Sequence, residues 1–196
     1  MHYVEDSTLL KNLLIWRCSM SRERIINQTK QLLKVSLMEL LADKPLAKIT
    51  VKELCEKADI NRTTYYKYYI DIYDQMDKIE NEIIADMLEK LDAITVENVN
   101  DRKNRLIVIT KILEYIESRR EEFTTLLEKS ELNFQHKLLS VIGGKIFDKL
   151  NAHNQKNAVR YIYIVNGSYG IIREWLKGDI DMDVIALAKE LEAYIK

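Results

Sequence analysis

Helix breakers are nearly missing from this chain: 196 residues hold one Pro and five Gly. Few β-branched alternations accompany them, and the long segments of 3.6-residue period that remain predict an all-α protein. Cysteine is as scarce. Cys18 and Cys55 are the only two, without the paired spacing a zinc site needs, and Cys55 falls on an apolar helix face where a thiol packs as a small hydrophobe. The three histidines, His2, His136 and His153, are scattered, so no metal site is expected. No apolar run approaches the ~18 residues required to span a bilayer, and no basic flank precedes an apolar core at the N-terminus as in a secretory signal. The expected compartment is a reducing cytoplasm, without membrane association. Gly167 and Gly170 sit inside a helical pattern, which excludes a phosphate-cradling loop. No nucleophile–base pairing can be argued, so neither catalytic residues nor a cofactor are expected. The carboxylates, though many, belong mostly to solvated helix faces.

Residues 50–69, TVKELCEKADINRTTYYKYY, carry the clearest signal present. Thr50 followed three residues later by Glu53 is a capping box, so a helix begins at Val51. Val51, Leu54, Cys55 and Ala58 share one face of it. Asp59-Ile60-Asn61 interrupts the helix, and Asn61 is suited to cap a second one because its side-chain oxygen accepts a free backbone N–H. Tyr65 and Tyr69, four apart, turn inward on that second helix and leave Arg62, Thr63, Thr64, Tyr66 and Lys67 outside. Two helices joined by a short turn, with hydroxyl, phenol and cationic groups opening the second, form the geometry that enters a DNA major groove.

Residues Ile49 to Tyr69 resemble the DNA-binding domain of the tetracycline-repressor (TetR/AcrR) family of bacterial transcription regulators. The family pattern is roughly I-T-V-x-E-I-A-x-x-A-G-V-S-x-x-T-F-Y-x-H-F. Asp59 replaces the turn glycine, a substitution Asp tolerates because it visits left-handed backbone more readily than most residues. Tyr68-Tyr69 replaces His-Phe, and Ile72 stands where many relatives carry a phosphate-contacting lysine. By this resemblance Tyr66, Lys67 and Tyr68 align with backbone-contact positions. Arg62, Thr63 and Thr64, at the start of the second helix, are the candidates for reading bases, and an Arg there could grip guanine O6 and N7 at ~1–3 kcal/mol of discrimination. Thr50 could contact the backbone through the start of the preceding helix. The alternative for the whole set is a solvated helix face.

Charge divides the chain in the same place. Residues 20–71 hold ten Lys/Arg against seven Asp/Glu, net +3, whereas 72–196 hold eighteen against twenty-two, net −4. A basic head on an acidic body suits a DNA reader with a separate second module. The expected organisation is an N-terminal extension over 1–19, a three-helix helix–turn–helix domain over 20–70, and a C-terminal regulatory and dimerisation bundle over 71–196. Ser7–Trp16 could form a short amphipathic helix. Met20-Ser-Arg-Glu-Arg24, however, looks like a typical family beginning, so the extension is either genuine or translated upstream sequence. Arg22–Asp43 reads as a long amphipathic helix with the pattern Ile25, Ile26, Thr29, Leu32, Leu33, Ser36, Leu37, Leu40 and Leu41 inward, ended by Lys44-Pro45. Further helices are expected over 71–91, 102–118, 119–129, 131–151 (with Gly143-Gly144 in mid-run), 155–177 and 181–196, and a polar loop over 92–102.

In 155–177 the apolar residues wrap most of the circumference, among them Val159, Tyr161, Ile162, Tyr163, Ile164, Val165, Tyr169, Ile171, Ile172, Trp175 and Leu176. A helix apolar nearly all round must be covered on several faces, and Gly167, Ser168 and Gly170 would let another helix come close. Homodimerisation through residues 155–196 follows, as the resemblance also implies. The resemblance further implies a repressor that binds a pseudo-palindromic double-stranded DNA operator and is released by a small-molecule effector in the C-terminal domain. Inner faces of 76–87, 106–116 and 134–147, with Tyr115 and Phe134 as possible stacking groups, could wall a pocket or simply be core. Two other readings stay open: a coregulator whose C-terminal domain binds a protein partner, and an architectural DNA-binding protein with no effector.

Overall fold

The absence of breakers between residues 5 and 43 shows first in the backbone. In a computed structural model of the chain, α1 (Glu5–Asp43) is one uninterrupted helix of 39 residues. Periodicity predicts a short helix over 7–16 and a second one starting at Arg22; with neither Pro nor Gly between, nothing divides them. The structure describes the backbone of residues 5–92, 101–129, 134–141 and 155–195, and side chains within 22–91, 101–129, 134–141 and 158–195. The expectations for Gly143-Gly144, the middle of the 92–102 loop, His2, His153 and the side chains of 1–19 lie outside these residues. The described residues form helices and turns, with no strand. The chain falls into two compact units, Met1–Asp74 and Gln75–Lys196.

In the first unit, Lys44 N–H donates to the Leu40 carbonyl and closes α1. Pro45 then sits extended (φ −65°, ψ 151°) ahead of a 3₁₀ turn, Leu46–Lys48. Two short helices follow, α2 (Val51–Ala58) and α3 (Arg62–Tyr65). Leu33, Leu37 and Leu41 of α1 are fully buried, together with Leu54 and Tyr65, and Leu40, Leu46, Ile49, Cys55, Ala58 and Tyr69 complete this core. Val51 is only half-buried. Ile25 and Leu32, expected to face inward, are 59% and 52% exposed. The reason is length: α1 extends about 58 Å at 1.5 Å per residue, and the eight residues of α2 pack on its C-terminal turns. Every buried residue described on α1 lies at Leu33 or beyond.

The second unit contains α4 (Ile72–Asp92, whose first turn holds the boundary), α5 (Arg102–Glu117), α6 (Arg120–Lys129), α7 (helical residues 134–141), α8 (Gln155–Lys177) and α9 (Val184–Ala193). α5 packs on α9, and α6 on α8. Tyr115, Phe123 and Phe134 form a buried edge-on aromatic chain, with ring centroids 5.9 and 5.7 Å apart. The two groups offered as pocket stacking residues are therefore packing partners of Phe123. Polar ties pin the same helices. Glu192, 1% exposed, accepts from Arg102 Nε at 2.9 Å and Arg105 Nη2 at 2.7 Å. The Lys137 ammonium reaches Asp77 and the buried Glu80. Arg120 donates to the Trp175 and Leu176 carbonyls, both at 2.9 Å, while its guanidinium lies 4.5 Å from the Trp175 ring centre.

α8 ends in a left-handed turn at Gly178 (φ 89°), where Asp179 N–H donates back to Glu174 and Gly178 N–H to Trp175. Of the apolar residues read as wrapping α8, only Trp175 and Leu176 are buried in the single chain. Val159, Ile162 and Tyr163 are 69%, 57% and 73% exposed, and Ile185 and Tyr194, flanking the buried stretch of α9, are 59% and 64% exposed.

Candidate nucleic-acid interface

Local capping builds the α2–α3 pair. Thr50 is extended (φ −106°, ψ 149°), and its Oγ1 accepts from Glu53 N–H at 3.2 Å. The Glu53 carboxylate is engaged by Lys44 Nζ at 2.5 Å, which ties the start of α2 to the end of α1. Lys57 Nζ and the Glu39 carboxylate, 2.9 Å apart, make a second tie between the same helices. At the C-terminus of α2, Asp59 adopts φ 53°, ψ 41°. It is the one non-glycine residue with positive φ among those described. Ile60 N–H donates back to Cys55 at 2.9 Å across it, so the left-handed residue satisfies carbonyls that the ending helix leaves free. Asn61 Oδ1 then accepts from Thr63 N–H at 2.8 Å and starts α3.

α3 itself is shorter than the sequence suggested. Regular helix covers Arg62–Tyr65, after which Lys67 and Tyr68 bond three residues back instead of four. Such three-residue bonding is common where a short α-helix ends. Tyr65 and Tyr69 are both turned into the core, 0% and 6% exposed, with ring centroids 5.4 Å apart. Burial raises the Tyr65 phenol above its ordinary pKa, with nearby Asp71 adding to the effect. Burial does the same to the Cys55 thiol, against the opposing pull of Arg62.

Above this anchored turn the expected contact groups divide into two sets. Thr50, Arg62, Thr63, Tyr66 and Lys67 are exposed, Tyr66 by 57%. The Tyr66 ring is held edge-on against Tyr65, with centroids 5.4 Å apart. Thr64 and Tyr68 are half-buried. Tyr68 packs edge-on against Tyr69, and Lys30 Nζ of α1 stands 5.9 Å from its ring centre. Lys30 was not among the candidates, because nothing in the spacing of α1 marks which of its lysines lies beside Tyr68. Arg62, Thr63, Tyr66 and Lys67, two of them cationic, are thus presented by a short helix with a capped start and by the turn that follows it, over buried Tyr65 and Tyr69.

Comparison with known proteins bears on the other half of the chain. Residues 103–196 match the family model TetR_C_8, described as a transcriptional regulator C-terminal region. Over these residues the chain is similar to the C-terminal region of TetR-type transcriptional regulators. Solved structures agree in fold. A TetR transcriptional regulator from Streptococcus agalactiae 2603V superposes with a TM-score of 0.70 at 17% identity, covering 91% of this chain and 99% of its own. A TetR-like transcriptional regulator from Rhodococcus sp. RHA1 gives 0.65 at 16%, covering 85% and 93%. The fatty acid degradation regulator FadR from Bacillus halodurans gives 0.61 at 12%, covering 85% and 94%. No curated protein matches the sequence significantly. No helix among the described residues is long and apolar enough to cross a membrane.

In the second unit, a half-open groove of about 290 Å³ lies between the C-terminal part of α4 and α5. Met87, Leu91, Ile112 and Tyr115 form its apolar lining, with Lys90 and Lys111 among the polar residues. Both lysines are already matched, Lys90 with Asp86 and Lys111 with Glu114.

Proposed function

We propose that this chain is a TetR-family regulator, a homodimeric repressor that reads a pseudo-palindromic operator through the α2–α3 pair. Arg62, Thr63 and Thr64 read bases, while Thr50, Tyr66, Lys67 and Tyr68 hold the phosphate backbone. The observation that carries this reading is the clamped, cap-started α3 with Arg62, Thr63, Tyr66 and Lys67 outward over buried Tyr65 and Tyr69. Rigid presentation of exposed donors and cations at the start of a second helix is what major-groove entry requires. Residues 20–70 are then the DNA-binding domain and 71–196 the regulatory and dimerisation domain.

Dimerisation runs through residues 155–196. Supporting it are the uncovered Val159, Ile162, Tyr163 and Ile185, and open space around Gly167 and Gly170, where a Cβ would meet nothing within 4 Å in the single chain. A two-fold dimer sets two recognition helices about one DNA turn, ~34 Å, apart. An effector in the second domain releases the operator by shifting α4 in a pendulum fashion, and tenfold release requires ~1.4 kcal/mol of preference for the unbound state.

Footprinting of the purified protein on its own upstream DNA tests the reading. A protected palindrome that disappears with Tyr66→Ala/Lys67→Ala is expected. Absence of protection at low salt from a folded dimer would refute autoregulation and shift weight to a distant operator or a protein partner.

A further inference from the structure

Three large outward side chains of the first unit fall within eight residues: Tyr66, Ile70 and Tyr73, exposed by 57%, 78% and 53%. Ile70 is more exposed than any other large hydrophobic residue described. Its position is not loose. Ile70 N–H donates to Asp74 Oδ2 at 2.9 Å, and Asp74 N–H donates to Asp71 Oδ1 at 2.8 Å, which locks the turn between α3 and α4. Tyr69 and Ile72, the neighbours that alternate with them, are 6% and 5% exposed. Tyr69 and Ile72 therefore face inward, while Ile70 and Tyr73 face out.

We propose that Ile70 and Tyr73 are DNA-backbone contacts, a role that rests on the DNA-binding reading above. The Ile70 side chain packs on a deoxyribose, and the Tyr73 phenol donates to a phosphate oxygen. Together they carry the surface of Tyr66 and Lys67 past the end of α3 and onto the first turn of α4. Neutral chemistry suits this spot, because Asp71 and Asp74 flank it and their carboxylates are held as capping acceptors. Attraction over distance comes from the positive surplus of this segment, ten Lys/Arg against eight Asp/Glu across residues 20–74, net +2. A three-side-chain patch falls well short of the ~800 Å² per partner of a stable protein–protein interface. As an extension of a surface that already grips DNA it needs no such area.

The test compares Ile70→Ala and Tyr73→Phe with wild type on the footprinted operator and on an unrelated duplex, across a salt series. Each variant is expected to weaken binding about three- to tenfold on both duplexes, because backbone contacts carry no sequence information. The salt slope should stay at the wild-type value, since neither group releases a counterion, whereas Lys67→Ala should lower it by about one. Both variants should melt with wild type, their side chains being exposed. Wild-type affinity in both variants, with an intact wild-type footprint, overturns the proposal alone. So does a loss confined to the operator, or one accompanied by a changed slope. Wild-type protein that binds neither duplex removes the DNA-binding reading and this contact with it.

Discussion

Tyr65 offers a sharp test of how the recognition element is held. Its ring is fully buried, yet among the described residues its hydroxyl has no hydrogen-bond partner. A buried hydroxyl without a partner costs about 1–3 kcal/mol of desolvation. Tyr65→Phe deletes that oxygen and keeps the ring that packs on Tyr66 and Tyr69. The small void left behind takes back part of the gain, so a net stabilisation of about 1 kcal/mol is expected. Tyr65→Ala should instead lose about 3–5 kcal/mol, the usual range for emptying an aromatic core site. Chemical denaturation of the full chain, followed by fluorescence and circular dichroism together, measures both; two units can unfold in separate steps, so coincidence of the probes must be checked.

The same variant makes a prediction in pH. The folded-state pKa of Tyr65 is raised, so its stabilising contribution is complete below the unfolded value near 10 and is lost as pH climbs past it. Tyr65→Phe should therefore lose less stability than wild type above about pH 10. DNA affinity should not change, because the hydroxyl faces the core. A destabilisation of about 1 kcal/mol or more in Tyr65→Phe would show that the hydroxyl is satisfied, and the orphan assignment would be wrong.

Burial alone would raise the Glu192 pKa, but hydrogen bonds and charge from Arg105 and Arg102 outweigh it and hold it below the ordinary value. Its stabilisation is therefore present above about pH 4.3 and fades as pH falls through the lowered folded pKa. Glu192→Gln should cost about 3 kcal/mol at neutral pH by stranding Arg105 and should flatten the acid limb of the stability curve, as equilibrium unfolding against pH will show. Asp59→Gly should stabilise the first unit by up to about 1 kcal/mol in denaturant titration, since glycine takes the left-handed backbone without penalty; a clear loss would mean the Asp59 carboxylate has an essential role. Asn61→Ala should cost about 1 kcal/mol through the lost cap at Thr63 N–H, with operator affinity falling alongside. Gly167→Ala should strengthen α8 by about 1 kcal/mol in the isolated chain yet weaken self-association in sedimentation; unchanged association would argue against close helix approach at that position.

Some of this protein can be read directly from its residues, because the responsible forces act within a few positions of the chain. The Thr50 and Asn61 caps, the stop at Asp59 and the inward turn of Tyr65 and Tyr69 are local matters of hydrogen bonding and helical period, and each stands where the spacing places it. Helix type and order along the chain follow from periodicity and the scarcity of Pro and Gly in the same way. Tertiary packing decided the rest. It ended the regular helix of α3 after one turn, above the buried rings of Tyr65 and Tyr69. It left Ile25 and Leu32 in water, because a partner helix eight residues long covers only a fraction of α1. It set Tyr115 and Phe134 against Phe123, with Tyr115 also lining the α4–α5 groove. Lys30 met Tyr68, and Arg102 met Glu192 ninety residues away. Pairings between distant segments depend on how whole helices dock, and amphipathic periodicity says which face is inward without saying what that face will meet.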